Sequence, residues 1–139
     1  MRSISGKLAG RRIAVIDDEI DQATGLVALL ALEGISAVAE HVAPRALARL
    51  VAEPPDALVL DVKMPGMSGT ELFTLLRERY PELPAVFLTG YEARDPHVEA
   101  ALTSSRVAHL TKPVHLPDLI EKLVEVLEGH RPYGTCVRA

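Results

Sequence analysis

Four short strand-like runs, at residues 13–16, 57–60, 85–88 and 109–111, each give way to a residue equipped for chemistry: Asp17-Asp18, Asp61, Thr89 and Lys112. Parallel strands that end in this way deliver their terminal side chains to one rim of a sheet, which is where open α/β folds place their sites. The pattern therefore constrains the fold and the site together.

The segments between the runs carry helical periodicity. Strands are expected at 12–16, more weakly at 36–39, and at 57–60, 85–88 and 107–111. Helices are expected at 20–32, where Ala23, Val27 and Leu30 share a face, and at 44–52, where Pro44 sits near the start and Pro54-Pro55 stop the run. A tight turn over 64–69 leads to a helix through Tyr80. Asp95-Pro96 is a cap and first-turn pair for a short helix to about Ser104, and Leu116, Leu119, Ile120, Leu123, Val124 and Leu127 mark one face of the last helix. Five strand-then-helix units with short connections imply right-handed crossovers and a doubly wound parallel sheet covered on both faces, an α/β class.

Composition narrows the function. A chain of 139 residues fits one domain, divided here into a leader at 1–11, a folded domain at 12–128 and a tail at 129–139. The formal net charge is only -4, with both signs mixed along the chain, so no basic stripe supports direct nucleic-acid binding. No apolar run approaches the roughly 20 residues of a membrane span, and there is no signal-peptide core. The single cysteine, Cys136, forms no intrachain bridge, which points to a reducing, cytoplasmic setting.

In a doubly wound sheet the ends of the first and third strands flank the switch point, so Asp17, Asp18 and Asp61 should meet there. Three carboxylates in one cleft repel one another unless a cation sits among them, and an oxygen-only donor set suits Mg²⁺ better than Zn²⁺. Lys112 and Thr89 add a positive charge and a hydroxyl suited to phosphoryl oxygens. Asp61 then becomes the acceptor in an aspartyl phosphate. Taken one by one, these residues also fit an N-cap, a turn, a strand end and a solvated charge; their joint placement at strand ends favours the site. A phosphatase of the haloacid dehalogenase type would need a second Asp two residues after the nucleophile, where this chain has Lys63.

These residues resemble the receiver domain of the two-component response regulators, a chemotaxis-regulator-like family. The resemblance rests on Asp17-Asp18-Glu19, on 61–69 (Asp-Val-Lys-Met-Pro-Gly-Met-Ser-Gly), on Leu88-Thr89-Gly90-Tyr91 and on Leu110-Thr111-Lys112-Pro113, in order and at the family's separations. It implies a flavodoxin-like (βα)5 fold with strand order 2-1-3-4-5. It also implies that Asp61 accepts a phosphoryl group from a phosphohistidine on a histidine kinase or phosphotransfer protein. Mg²⁺ would be held by Asp18 directly, by Asp17 largely through water, by Asp61 and by the Lys63 backbone carbonyl.

By the same resemblance Lys112 pairs with the phosphoryl group, Lys112-Pro113 is a cis peptide, and Thr89 is the switch hydroxyl. The second switch position, usually Tyr or Phe, is His109, and Ser105-Arg106 stands where Gly-Ala is common. Lys63 and Tyr91 occupy positions that govern water access, which implies slow autodephosphorylation. The expected protein has no separate substrate: it catalyses its own phosphorylation and changes a partner-binding face formed by the fourth helix, fifth strand and fifth helix, which also offers a homodimer surface. A stand-alone regulator or relay is expected; the alternative is a degenerate receiver acting as an unphosphorylated interaction module.

Overall fold

Alternation along the strands builds the molecule, because successive side chains point to opposite faces of a sheet. In the computed structural model, which describes residues 4–90 and 96–129, five parallel strands pair in the order β2-β1-β3-β4-β5. They are β1 (Arg12–Ile16), β2 (Ser36–Glu40), β3 (Ala57–Asp61), β4 (Ala85–Thr89) and β5 (Val107–Thr111). The helices are α1 (Ile20–Leu32), α2 (Ala43–Ala52), α3 (Gly69–Arg79), α4 (Pro96–Leu102) and α5 (Leu116–Leu127). This is the flavodoxin-like doubly wound fold.

Ala14, Ile16, Leu58, Leu60 and Phe87 face one way and pack against α2, α3 and α4. Ile13, Val15, Val59, Val86 and Leu88 face the other way, against α1 and α5. Burial on both sides explains why the central strands carry apolar residues at consecutive positions.

Three strands run one residue further than the apolar pattern predicts, taking in Glu40, Asp61 and Thr89. The ladder is made by backbone groups, and these still find partners at the rim: Asp17 N–H donates to Glu40 O at 3.0 Å, Val62 N–H to Leu88 O at 3.2 Å, and Lys112 N–H to Thr89 O at 2.8 Å. Functional side chains are thereby anchored in the sheet itself. Glu40, buried at the edge strand, is paired with Arg49 of α2 at 2.8 Å.

Two features lie outside the alternating pattern. A short 3-10 helix, Ile4–Leu8, precedes β1, and Leu8 is fully buried in the α1 and α5 layer. Arg106 adopts a φ of 58°, the left-handed region that L-residues avoid. Its guanidinium donates to the Val126 and Leu127 carbonyls at 3.4 and 3.1 Å, satisfying the end of α5, and to Glu82 at 3.2 Å. The expectations for Tyr91, the Asp95 cap and the tail beyond Gly129 lie outside the described residues.

Candidate functional site

Register brings the rim residues together. Ile16 pairs with Leu60, Asp61 with Leu88, and Thr89 with Thr111, so the segments carrying Asp17, Asp61, Thr89 and Lys112 leave the sheet at adjacent positions. Carboxylate oxygens of Asp17, Asp18 and Asp61 lie within 4.8 Å of one another. Asp17 and Asp61 are buried, while Asp18 stands nearer solvent.

Lys112 Nζ reaches into this cluster, 3.2 Å from Asp61 Oδ1 and 3.8 Å from Asp17 Oδ2. Burial pushes the Asp17 carboxyl up to about 6; the Glu19 amide, donating to Asp17 Oδ1 at 2.9 Å, works against that shift, and the Asp61 charge reinforces it. Asp61 is also raised by burial, against the opposing pull of Lys112. Asp17 thus does not cap α1, whose N-cap is Glu19; one oxygen accepts from the Glu19 amide just ahead of the helix and the other faces Lys112 in the cluster.

The oxygen-only donor set, drawn together without enough positive charge to neutralise it, fits a hard divalent cation. Asp17, Asp18 and Asp61 are the side chains that would hold it. Lys63 is exposed, and its backbone amide favours the charged form of Asp61, opposing the effect of burial. Thr89 is fully buried, with its hydroxyl donating to Leu110 O at 3.4 Å. His109 pairs with Phe87 across the ladder and exposes its side chain. The Lys112-Pro113 peptide is cis.

The turn after Asp61 is fixed by a glycine, a buried methionine and a helix cap. Gly66 has a φ of +82°, and Met64 is buried in the core. Ser68 and Glu71 form a reciprocal capping box on α3: Glu71 N–H donates to Ser68 Oγ at 3.2 Å and Ser68 N–H to Glu71 Oε1 at 2.9 Å. Ser-x-x-Glu before an apolar run was the available signal. Beside the carboxylates, a groove runs between Gln22, Gly25 and Leu29 of α1 and Pro113-Val114. A second groove, between α3 and α4, lies away from the acidic cluster.

A parallel sheet of order 2-1-3-4-5 is the flavodoxin-like doubly wound fold, and here its switch point carries a cluster of carboxylates. A family model described as the response regulator receiver domain matches residues 13–124. The response regulator protein FleR of Pseudomonas aeruginosa is 33% identical over 121 residues, which cover 87% of this chain and 25% of FleR. The response regulator MprA of Mycobacterium avium is also 33% identical over 121 residues, covering 87% of this chain and 53% of MprA. The chain thus spans about a quarter of one relative and about half of the other. A CheY-like receiver domain protein from Methanospirillum hungatei, of known crystal structure, is 28% identical with a TM-score of 0.76, covering 85% of this chain and 94% of that one. The chain belongs to the response regulator receiver family of two-component systems.

Proposed function

We propose that Asp61 accepts a phosphoryl group from a phosphohistidine on a histidine kinase or phosphotransfer protein, and that the resulting acyl phosphate changes a partner-binding surface. The observation that carries this reading is the placement of Lys112 Nζ 3.2 Å from Asp61 Oδ1 within a cluster of three carboxylates. An Asp61 oxygen attacks phosphorus, the P–N bond breaks, and the imidazole nitrogen keeps the bonding pair. Lys112 then faces the new phosphoryl oxygens, and the Lys63 amide steadies the carboxylate during attack. Bound Mg²⁺ supplies neutralising charge for the phosphoryl oxygens.

Thr89 is the natural reporter, since its buried hydroxyl needs only to exchange the long bond to Leu110 O for a phosphoryl oxygen. His109, exposed on β5, then acts at the readout face with α4 and α5, where homodimerisation would also occur. In this reading the exposed Lys63, two residues after the acceptor, limits water attack and slows autodephosphorylation. A cytoplasmic protein acting alone or as a relay is the form this reading favours; among the described residues no helix is long and apolar enough to cross a membrane.

The test is intact-protein mass after incubation with Mg²⁺ and acetyl phosphate, with Asp61→Asn as control. One phosphoryl group added to the wild type alone is the expected result. No added mass, together with no response to beryllium fluoride, would turn the reading to an unphosphorylated interaction module.

A further inference from the structure

The loop between β3 and α3 closes on itself through one glycine. Gly69 N–H donates to Val62 O at 2.9 Å. A Cβ built on Gly69 would stand 2.2 Å from the Asp61 carbonyl oxygen, 3.0 Å from its carbon and 3.2 Å from Val62 Cα. All three atoms belong to the backbone of the strand end, so no side chain can rotate out of the way. Gly69 does not adopt a left-handed φ, so it is proximity that requires a glycine here, not conformational freedom.

The peptide unit that Gly69 grips has a second bonding group. Its carbonyl is that of Val62 and its N–H is that of Lys63, the amide that favours the charged form of the Asp61 carboxylate. In a planar trans peptide the C=O and N–H point in opposite directions, so holding one aims the other. Ser68 and Glu71 hold the first turn of α3 in the same place through their capping box.

We propose that Gly69 is the positioning residue for the acceptor carboxylate. By seating α3 directly on the Asp61 carbonyl and gripping the Val62 carbonyl that follows, it fixes the backbone on which the Asp61 side chain is mounted. Gly69 touches neither donor nor phosphoryl group; it acts through that stretch of backbone. The role rests on the reading of Asp61 as phosphoryl acceptor.

The test compares wild type with Gly69→Ala and with Val126→Ala, a core truncation on α5 in the opposite layer that lowers stability without approaching the site. Two quantities are read at a temperature where all three are folded: the initial rate of mass gain from acetyl phosphate at saturating Mg²⁺, and the amide proton resonance of Lys63. Displacing the acceptor by about 1 Å is expected to slow Gly69→Ala by ~10²-fold. Its Lys63 amide resonance should shift as the Val62–Lys63 peptide is displaced, whereas Val126→Ala keeps the wild-type rate and signal. Gly69→Ala matching Val126→Ala in both readouts would overturn the proposal. Should Gly69→Ala fail to fold, Ser68→Ala decides, because it loosens the same turn without adding an atom. A reduced rate with a shifted Lys63 amide supports the role, and an unchanged rate and amide sink it. A wild type that gains no mass defeats the phosphoacceptor reading and this role with it, whereas a phosphorylated wild type with an unaffected glycine variant defeats this role alone.

Discussion

Lys112 Nζ and Asp61 Oδ1 stand 3.2 Å apart although they arrive from opposite sides of β4, one after β5 and the other at the end of β3. The lysine spans the intervening strand with its flexible four-carbon stem and ends at the carboxylate as a point charge. It is about one-third exposed, so it can follow an oxygen that moves when the phosphoryl group arrives.

Lys112→Met should therefore slow phosphorylation of Asp61 by ~10²-fold, the typical effect of losing one preorganised charged partner of a transition state. Initial rates of mass gain from acetyl phosphate measure it. A variant as fast as the wild type would reduce Lys112 to a static counter-charge.

Asp17 gives a pH dependence with a definite sign. Its carboxyl is raised from 3.8 to about 6 by burial, so between those values the folded state holds more protons than the unfolded state. Stability of the metal-free protein should accordingly fall as pH rises from about 4 to about 6 and level off above that, an effect on the order of 3 kcal/mol. Asp17→Asn should flatten this limb and stabilise the metal-free protein at pH 7, because an amide still accepts from Glu19 N–H. Urea unfolding across that range, in EDTA, would show whether the slope depends on Asp17.

Mg²⁺ should offset the cost of holding these carboxylates charged in a buried cluster. An ion that binds only the folded state stabilises it by about 2.7 kcal/mol at one hundred times its dissociation constant, which is a shift of several degrees in Tm. Asp18→Asn should weaken the shift. A melting curve indifferent to millimolar Mg²⁺ would count against the metal assignment.

His109→Tyr should leave the phosphorylation rate unchanged, since the side chain points to solvent from β5, and should alter binding of the output partner. A loss of phosphorylation would instead place His109 in the chemistry.

Arg106 separates strain from bonding. Arg106→Ala loses the contacts to the end of α5 and keeps the unfavourable backbone, at a cost of about 1–2 kcal/mol. Arg106→Gly loses the same contacts but relieves the left-handed φ, and should be about 1 kcal/mol more stable than the alanine variant. Equal urea midpoints for the two would remove the strain argument.

The central strands and α1 were legible because their signals are strong and local: doubly buried strands carry runs of consecutive apolar residues, and α1 begins and ends at the residues its pattern marks. The carboxylate cluster was legible from topology, since Asp17 follows β1 and Asp61 ends β3, two strands that pair in register. Arg106 was visible only as a departure from a common pattern. Its bonds join α5 to a loop 20 and 21 residues earlier in the chain, and no periodicity encodes a guanidinium reaching two carbonyls. Gly69 was visible as a motif member but not as a contact, because the absence of a Cβ has meaning only once the opposing backbone is known.

Leu8 carries a practical consequence for anyone cutting or grafting this unit. The family pattern begins at residue 13, but Leu8 is fully buried in the core layer beside α5, and its loss would leave a void there. A fragment started at the family boundary would trade that side chain for an open apolar seam, so the unit of folding is longer than the unit of homology. Fusion partners joined at the front should be attached ahead of the 3-10 turn.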